Sequence, residues 1–292
     1  MIVIPTIIAS EDGVDKLIGD LELHYLSNTD NHLHFALLTD FADAPNETQE
    51  NDDALMERVR SGIEELNQKY DPENNSLFYV FHRPRLWNPK ENVWMGYERK
   101  RGKLMALNSI LRGDSTDCFS LIEGNISVLP TVKYIITLDT DTQLPPNTAN
   151  KLIGTMAHPL NRPDFDVKKN IVVKGYGILQ PRVAVTLQSS QSTLFANLFT
   201  NESGIDPYTR TVSDVYQDIF HEGSFIGKGI YDVDAFEQAL ADRFPENKIL
   251  SHDLIESTHV RSGRVSDVKL YENYPPGFNM EAKRRHAWMR GD

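Results

Sequence analysis

Residues 133–144 read KYIITLDTDTQL. The stretch from Tyr134 to Leu138 is continuous, apolar and rich in β-branched residues, which is the signature of a strand buried on both faces. It runs into Asp139 and Asp141. Period-two alternation places both carboxylates on one side of an extended chain. Two close carboxylates repel unless a cation or several donors compensate. Hard oxygen ligands of this kind suit Mg²⁺ or Mn²⁺, which typically use one or two carboxylates together with substrate phosphates. The competing reading is a polar turn, since Asp and Thr ahead of Pro145-Pro146 also make a loop and a helix start.

Outward from this stretch, strands and helices alternate. MIVIPTII (1–8) reads as a buried strand. Residues 11–25 follow as a helix, with Val14, Leu17, Ile18, Leu21 and Tyr25 on one face. HLHFALL (32–38) is a second strand, stopping at Thr39-Asp40, and 47–69 a second helix with Leu55, Val59, Ile63 and Leu66 aligned. SLFYVFH (76–82) is a third strand. KRGKLMALNSILRG (100–113) is a helix entered through Gly102 and left through Gly113. This order predicts an α/β fold with a mostly parallel sheet and helices on both faces. Ligands in such sheets sit beyond the carboxyl ends of the strands. The second half is less regular. NIVVKGYGILQPRV (170–183) reads as strand with glycine breaks, 184–200 as helical and 201–230 as a long loop. DVDAFEQALADRF (232–244) is a helix capped by Asp232, RVSDVKLYENYPP (264–276) a strand and its exit, and 279–291 a final helix. With no internal repeat and no low-complexity linker, one domain of residues 1–292 in two halves, 1–142 and 143–292, is the simplest organisation.

The 42 acidic residues outnumber the 30 basic ones, a formal net charge of −12, which argues against nucleic acid as a partner. Thirteen acids and three Lys or Arg fall within residues 1–60. The cations gather instead around Arg99–Lys103 and Lys283–Arg290, islands suited to a small anion. The one cysteine, Cys118, excludes an intramolecular disulfide and reads as a core filler. Met1 leads straight into an apolar strand without a basic leader, and no apolar run has the length of a membrane span. RRHAWMRGD (284–292) reads as an unfinished helix, so a piece of a longer protein is expected.

Further residues carry chemistry-bearing alternatives. Asp40 and Asp43, at the exit of the second strand, suit a base or ribose, or simply a polar turn. Lys103, at a glycine-led helix start, suits phosphate, or a solvated basic turn; the glycine spacing is not that of a P-loop. HEGSFIGKGIYDVDAF (221–236) reads as a flexible loop that closes over a substrate. His221-Glu222 lacks the second histidine of a metalloprotease motif. Asp253 in LSHDLIES (250–257) is a general base or a helix cap, with the cap favoured on spacing alone. KRRHAWMRGD combines cations with Trp288, suited to an anion beside a ring, or to a basic helix on a membrane.

Taken in order, these pieces resemble a processive-type, family-two-like glycosyltransferase of GT-A (Rossmann-like) fold. Within that group they are most similar to the glycosyltransferase domain of cyclic β-1,2-glucan synthases. The strings YIITLDTDTQLPP, GYGILQPRV, EGSFIGKGIYDVDAF, LSHDLIES and RRHAWMRGD carry the resemblance, which spans most of the chain. It implies UDP-glucose as donor, with Asp40 and Asp43 near uridine and Lys103 near the nucleotide. Asp139 and Asp141 would bind the diphosphate through Mg²⁺ or Mn²⁺. Asp253 would deprotonate the acceptor hydroxyl. Gly223, Ser224 and Phe225 would lie in the acceptor loop of a β-glucan site. Arg284, Arg285 and Trp288 would match the Q-x-x-R-W helix that touches diphosphate and acceptor. The implied parent lies in the bacterial inner membrane with this part on the cytoplasmic face and membrane contact through flanking segments; the chain alone would be soluble. Two positions depart from the pattern: His252 stands where Glu is common before the base, and Ala287 where the Arg of Q-x-x-R-W is expected. The resemblance implies an inverting transfer. The other classes in view are a UDP-binding fragment without catalysis and a D-x-D phosphatase of haloacid dehalogenase type. For the latter, Gln143 stands where Thr or Val is wanted.

Overall fold

A proline in the middle of the first strand is the feature that opens the fold. In the computed structural model, β1 (Ile2–Ile8) pairs in parallel with β2 (Phe35–Phe41) along its whole length, Ile2 opposite Phe35 through Ile8 opposite Phe41. On its other side β1 pairs in parallel with β7 (Tyr134–Thr137) only at Ile2 and Val3. The Ile2 amide donates to His34 on the β2 side, and Val3 faces β7, accepting from the Leu138 amide. By alternation Pro5 also faces the β7 side, beyond the end of that pairing. Its missing N–H therefore leaves no ladder bond unmade.

The structure describes residues 1–200, 215–241, 243–245, 247–249 and 252–291. The chain forms two units, Met1–Thr140 and Asp141–Asp292. The first carries α1 (Glu11–Ser27), α2 (Asp52–Tyr70), β3 (Phe78–Arg83), the hairpin β4 (Leu86–Asn88) and β5 (Val93–Met95), α3 (Arg99–Leu111) and β6 (Leu121–Glu123). β3 runs parallel to β2, and β6 antiparallel to β3, giving the order β7-β1-β2-β3-β6. The core is built on residues such as Ile4, Phe35, Leu37, Phe78 and Phe81, each at most 2% exposed. Tyr25 of α1 packs edge-on against Phe35 and Phe78, and Leu55, Val59, Ile63 and Leu66 of α2 are all buried as their spacing predicts.

The second unit carries α4 (Thr148–Ala157), the hairpin β8 (Asp164–Asp166) and β9 (Ile171–Lys174), and β10 (Ile178–Val185). Then come α5 (Leu187–Ser190), α6 (Leu194–Thr200), α7 (Val215–Phe220), β11 (Gly229–Asp232), α8 (Val233–Leu240), α9 (Asp253–Val260), β12 (Ser262–Glu272) and α10 (Phe278–Gly291). β10 lies parallel to β12 and antiparallel to β11. Its register shifts between Pro181 and Arg182, so Pro181 again sits at an interruption of the ladder. Asp232 caps α8, accepting from the Ala235 amide at 3.1 Å. The expected α/β class with mostly parallel pairing is what the chain adopts.

Several local expectations change. β2 runs on through Thr39 and Asp40, because both side chains are buried and the ladder with β3 continues to Arg83. α2 begins at Asp52 rather than 47, since Asp52 is held by the Gln49 amide and by Arg85. Gly102 lies inside the first turn of α3 instead of leading into it; a Cβ there would meet Tyr97 O at 2.4 Å and Arg83 Nη1 at 2.8 Å. Gly113 does close the helix, at φ 91°. Cys118 is exposed rather than a core residue, at the end of the polar stretch GDSTDC (113–118). Within 201–230, Val215–Phe220 is helical and Gly229–Ile230 opens β11; residues 201–214 lie outside the described residues. Among the described residues no helix is long and apolar enough to cross a membrane.

Candidate functional site

In the first unit the chain order reverses at β1: β2 and β3 extend to one side, β7 to the other. Beyond the carboxyl ends of these strands, where ligands of doubly wound sheets bind, lies a cavity of about 440 Å³. Pro5, Thr6 and Ile7 of β1, Asp40 of β2, Asp43 after it, Arg99, Lys100 and Lys103 of α3 and Thr140 after β7 contribute to its wall.

Asp40 is only 3% exposed. Arg83, from the end of β3, grips it with two bonds of 2.9 Å, and Lys103 Nζ stands 3.2 Å from Oδ2. Lys103 also donates to the carbonyl of Thr6. One carboxylate thus faces two cations, leaving a surplus positive charge in the cavity wall. Burial pulls the Lys103 ammonium down to about 8; Asp40 opposes that shift and Arg83 adds to it. Gly96, ahead of α3, makes the packing possible: a Cβ there would fall 2.0 Å from Asp40 Oδ2. Lys103 is therefore not a solvated basic turn, and Asp40 is not a free strand-end acid. Asp43 is more open and pairs with Arg99 at 2.9 Å, which also reaches Glu91. Glu98 and Arg99 both take positive φ, 58° and 46°, a backbone that side chains rarely adopt. Arg101–Glu98 and Arg99–Asp43 pairs hold that corner.

The strand ahead of the paired aspartates ends at Thr137, and Thr140-Asp141 forms a turn. The extended geometry expected for D-x-D is thus replaced by a bend. Asp139 receives Lys100 Nζ at 2.7 Å and keeps a side chain 37% exposed; Asp141 is exposed. Two hard carboxylates within reach of solvent, one already attracting an ammonium, fit the donor set of Mg²⁺ or Mn²⁺.

In the second unit Asp253 opens α9. His252 Nδ1 stands 2.9 Å from Glu256 Oε2 and 3.5 Å from Asp253 Oδ1, an imidazole between two carboxylates. These three atoms are also spaced as metal ligands are, but the imidazole–carboxylate contacts account for the spacing without a metal. The backbone of Gly227, at φ 82°, lies against Asp253: a Cβ would come within 2.7 Å of Oδ2. The glycine-rich segment is anchored, not loose. Gly223 donates to Ser262 O at 2.7 Å, Ile226 donates to the buried Gln180 Oε1 at 2.9 Å, and Phe225 is 2% exposed. Gly223 and Ser224 stay half-exposed. Arg284 and Arg285 both bond to Glu281 of their own helix, at 2.5 and 2.6 Å, and Arg285 remains 62% exposed. The side chains of Ala287 and Trp288 lie outside the described residues.

Residues the motifs did not single out turn out to hold these sites. Arg83 and Lys100 pair with Asp40 and Asp139, and Gln180, Lys228 and Glu272 brace the second unit. Only Lys100 had a signal, its place in the basic island.

No protein-family model matches the chain. Cyclic β-(1,2)-glucan synthase NdvB of Rhizobium meliloti (strain 1021) is 46% identical over 293 residues, covering 100% of this chain and 10% of that protein. The chain thus spans about a tenth of that relative's length. Among solved structures, mannosyltransferase PcManGT from Pyrobaculum calidifontis, in complex with GDP-Man and Mn²⁺, is 13% identical over 97% of this chain and 59% of its own, with a TM-score of 0.47. S. aureus TarS 1–349 is 12% identical over 93% and 59%, with a TM-score of 0.42. Likenesses at that level add nothing to the assignment, which rests on sequence. From its first strand to its last helix, this chain is a homologue of one segment of a cyclic β-(1,2)-glucan synthase, as its motifs imply.

Proposed function

We propose that this chain carries out glucosyl transfer from UDP-glucose to a growing β-1,2-glucan. One observation supports the reading above the rest. The cavity at the point where strand order reverses is walled by Asp40, Lys100 and Lys103 and bounded by Thr140 of the D-x-D, in a chain similar throughout to a glucan synthase.

In this reading the nucleotide enters beyond β1 and β2, with uridine near Asp40 and Asp43. Asp40 Oδ1 takes one bond from Arg83 and retains acceptor capacity. Lys103 and Lys100 supply positive charge to the diphosphate, and Arg284 and Arg285 add to it. Asp139 and Asp141 would hold Mg²⁺ or Mn²⁺, which when bound neutralises charge on the departing diphosphate. UDP-glucose has an α-linked leaving group and the product is β-linked, so a single inverting displacement is required. That chemistry needs one base, and Asp253 takes the proton of the attacking hydroxyl. Gly223 and Ser224 offer backbone to the acceptor, and Phe225 fixes their loop from the core; Trp288 is assigned to the acceptor by its place in the motif alone. Membrane contact is assigned to segments beyond this chain.

Calorimetric titration of UDP tests the donor half. Binding should be detectable with Mn²⁺ and weaken at least tenfold without it, and Asp141→Ala should abolish the metal dependence while the protein stays folded. An unchanged titration in Asp141→Ala would sink the assignment. UDP binding in a protein that never transfers glucose would favour a non-catalytic nucleotide module.

A further inference from the structure

The second unit contains a buried ion pair that touches both of its functional segments. Glu272, the last residue of β12, is 3% exposed. Its Oε1 accepts from Thr142 Oγ1 at 3.0 Å and lies 2.5 Å from Lys228 Nζ. Thr142 directly follows Asp141. Next to it, Gln143 and Tyr271 exchange backbone bonds of 2.7 and 3.2 Å, so the turn is stitched to β12 at two adjacent points. Lys228, itself 8% exposed, directly follows Gly227. Gly227 in turn lies so close to Asp253 that no side chain fits between them. One carboxylate oxygen therefore joins the Asp141 turn to the backbone step that abuts Asp253.

We propose that Glu272 is a positioning residue, acting with Lys228 to couple the D-x-D turn to the acceptor loop and the base. The physical basis is the stiffness of the link. A buried carboxylate with a charged and a neutral donor on one oxygen cannot release either without leaving a buried charge under-compensated. The turn and the loop then move as one body. Lys228 does not reach the substrate in this scheme; it transmits the position of Asp141 to Gly227, and Gly227 sets where the Asp253 carboxylate can sit. The role in transfer rests on the function proposed above, but the mechanical coupling does not.

Hydrogen exchange on the chain reads the coupling without any assay of transfer. Lys228→Gln should accelerate exchange of the backbone amides of residues 141–144 about tenfold, although the altered side chain lies in a different segment. Glu272→Gln should accelerate both 141–144 and 223–230. Acceleration confined to the mutated segment would overturn the proposal. Should Glu272→Gln fail to fold, the pair Glu272→Gln/Lys228→Gln removes both charges at similar volume, with the same result expected at 141–144.

Transfer from UDP-glucose to β-glucan oligosaccharides by the full-length protein then gives the functional readout. Lys228→Gln should raise the acceptor KM about tenfold and the donor KM severalfold, and Glu272→Gln should also lower kcat. Folded variants with wild-type kcat and KM would overturn the positioning role. Asp253→Asn in the same assay separates the two ideas. If it keeps wild-type turnover, the base assignment fails, while the exchange result stands or falls alone.

Discussion

Lys103 shows how a single side chain can be committed by its neighbours. It is 4% exposed, bonded to Thr6 and Asp40, and pulled down to about 8 by burial. The sign of the consequence follows from linkage. Between about pH 8 and the ordinary lysine value near 10.5 the unfolded chain holds this proton and the folded chain does not, so stability rises with pH through that window. Below it the full penalty of burying the ammonium is present. Urea unfolding of wild type and Lys103→Met at pH 7 and pH 10 should therefore diverge, wild type gaining about 1–3 kcal/mol on the variant. A constant gap would show that Lys103 keeps its charge across that range. Asp253 is committed in another way. His252, the departure from the usual acidic residue, lies beside it at 3.5 Å and also contacts Glu256. The histidine visible in the sequence thus places a cation-capable ring where a third carboxylate would have crowded Asp253 and Glu256.

At the scale of elements, glycines decide how closely the parts approach. Gly96 brings the end of the β4–β5 hairpin onto Asp40, which Arg83 and Lys103 prevent from yielding. Gly154 sits exposed in α4, where an added methyl group would meet nothing within 4 Å. Alanine should thus have opposite effects at the two sites. Gly96→Ala is expected to cost about 1–3 kcal/mol by overpacking and to weaken UDP binding. Gly154→Ala should add about 0.5–1 kcal/mol through helix propensity and the unfolded chain. Denaturant midpoints of the two variants check both signs, and two equal shifts would mean that close approach at Gly96 is not limiting. The elements themselves were largely legible. The alternation of strand and helix, the α2 face and the Asp232 cap all follow from short-range periodicity. Element ends were less so. β2 continued through Asp40 because Arg83 and Lys103 neutralise a charge that, judged locally, looked like the start of a loop.

For the whole molecule the acidic balance and the cation islands act together. A net charge of −12 opposes polyanion binding, while Arg99, Lys100 and Lys103 bring cations to one cavity. Selectivity for a small dianion should then be visible in thermal stability. UDP-glucose with Mn²⁺ at a hundred times its dissociation constant should stabilise the chain by about 2.7 kcal/mol, a rise of several degrees. ADP-glucose and GDP-mannose at equal concentration should give a clearly smaller rise. Equal shifts for all three would place recognition on the diphosphate alone and remove Asp40 and Asp43 from base reading.

Residue order by itself determined the α/β class, the strand that leads to Asp139 and Asp141, and the kinship with glucan synthases, because periodicity and long matching strings are local properties of the chain. Tertiary structure alone decided what those residues touch. It bent the D-x-D into a turn, set Lys100 on Asp139, buried Asp40 between two cations and drew Thr142 and Lys228 onto Glu272. The reason is physical. A buried charge is tolerated only where partners from distant segments converge, and no periodicity in the chain announces that Arg83 will meet Asp40 or Thr142 will meet Glu272.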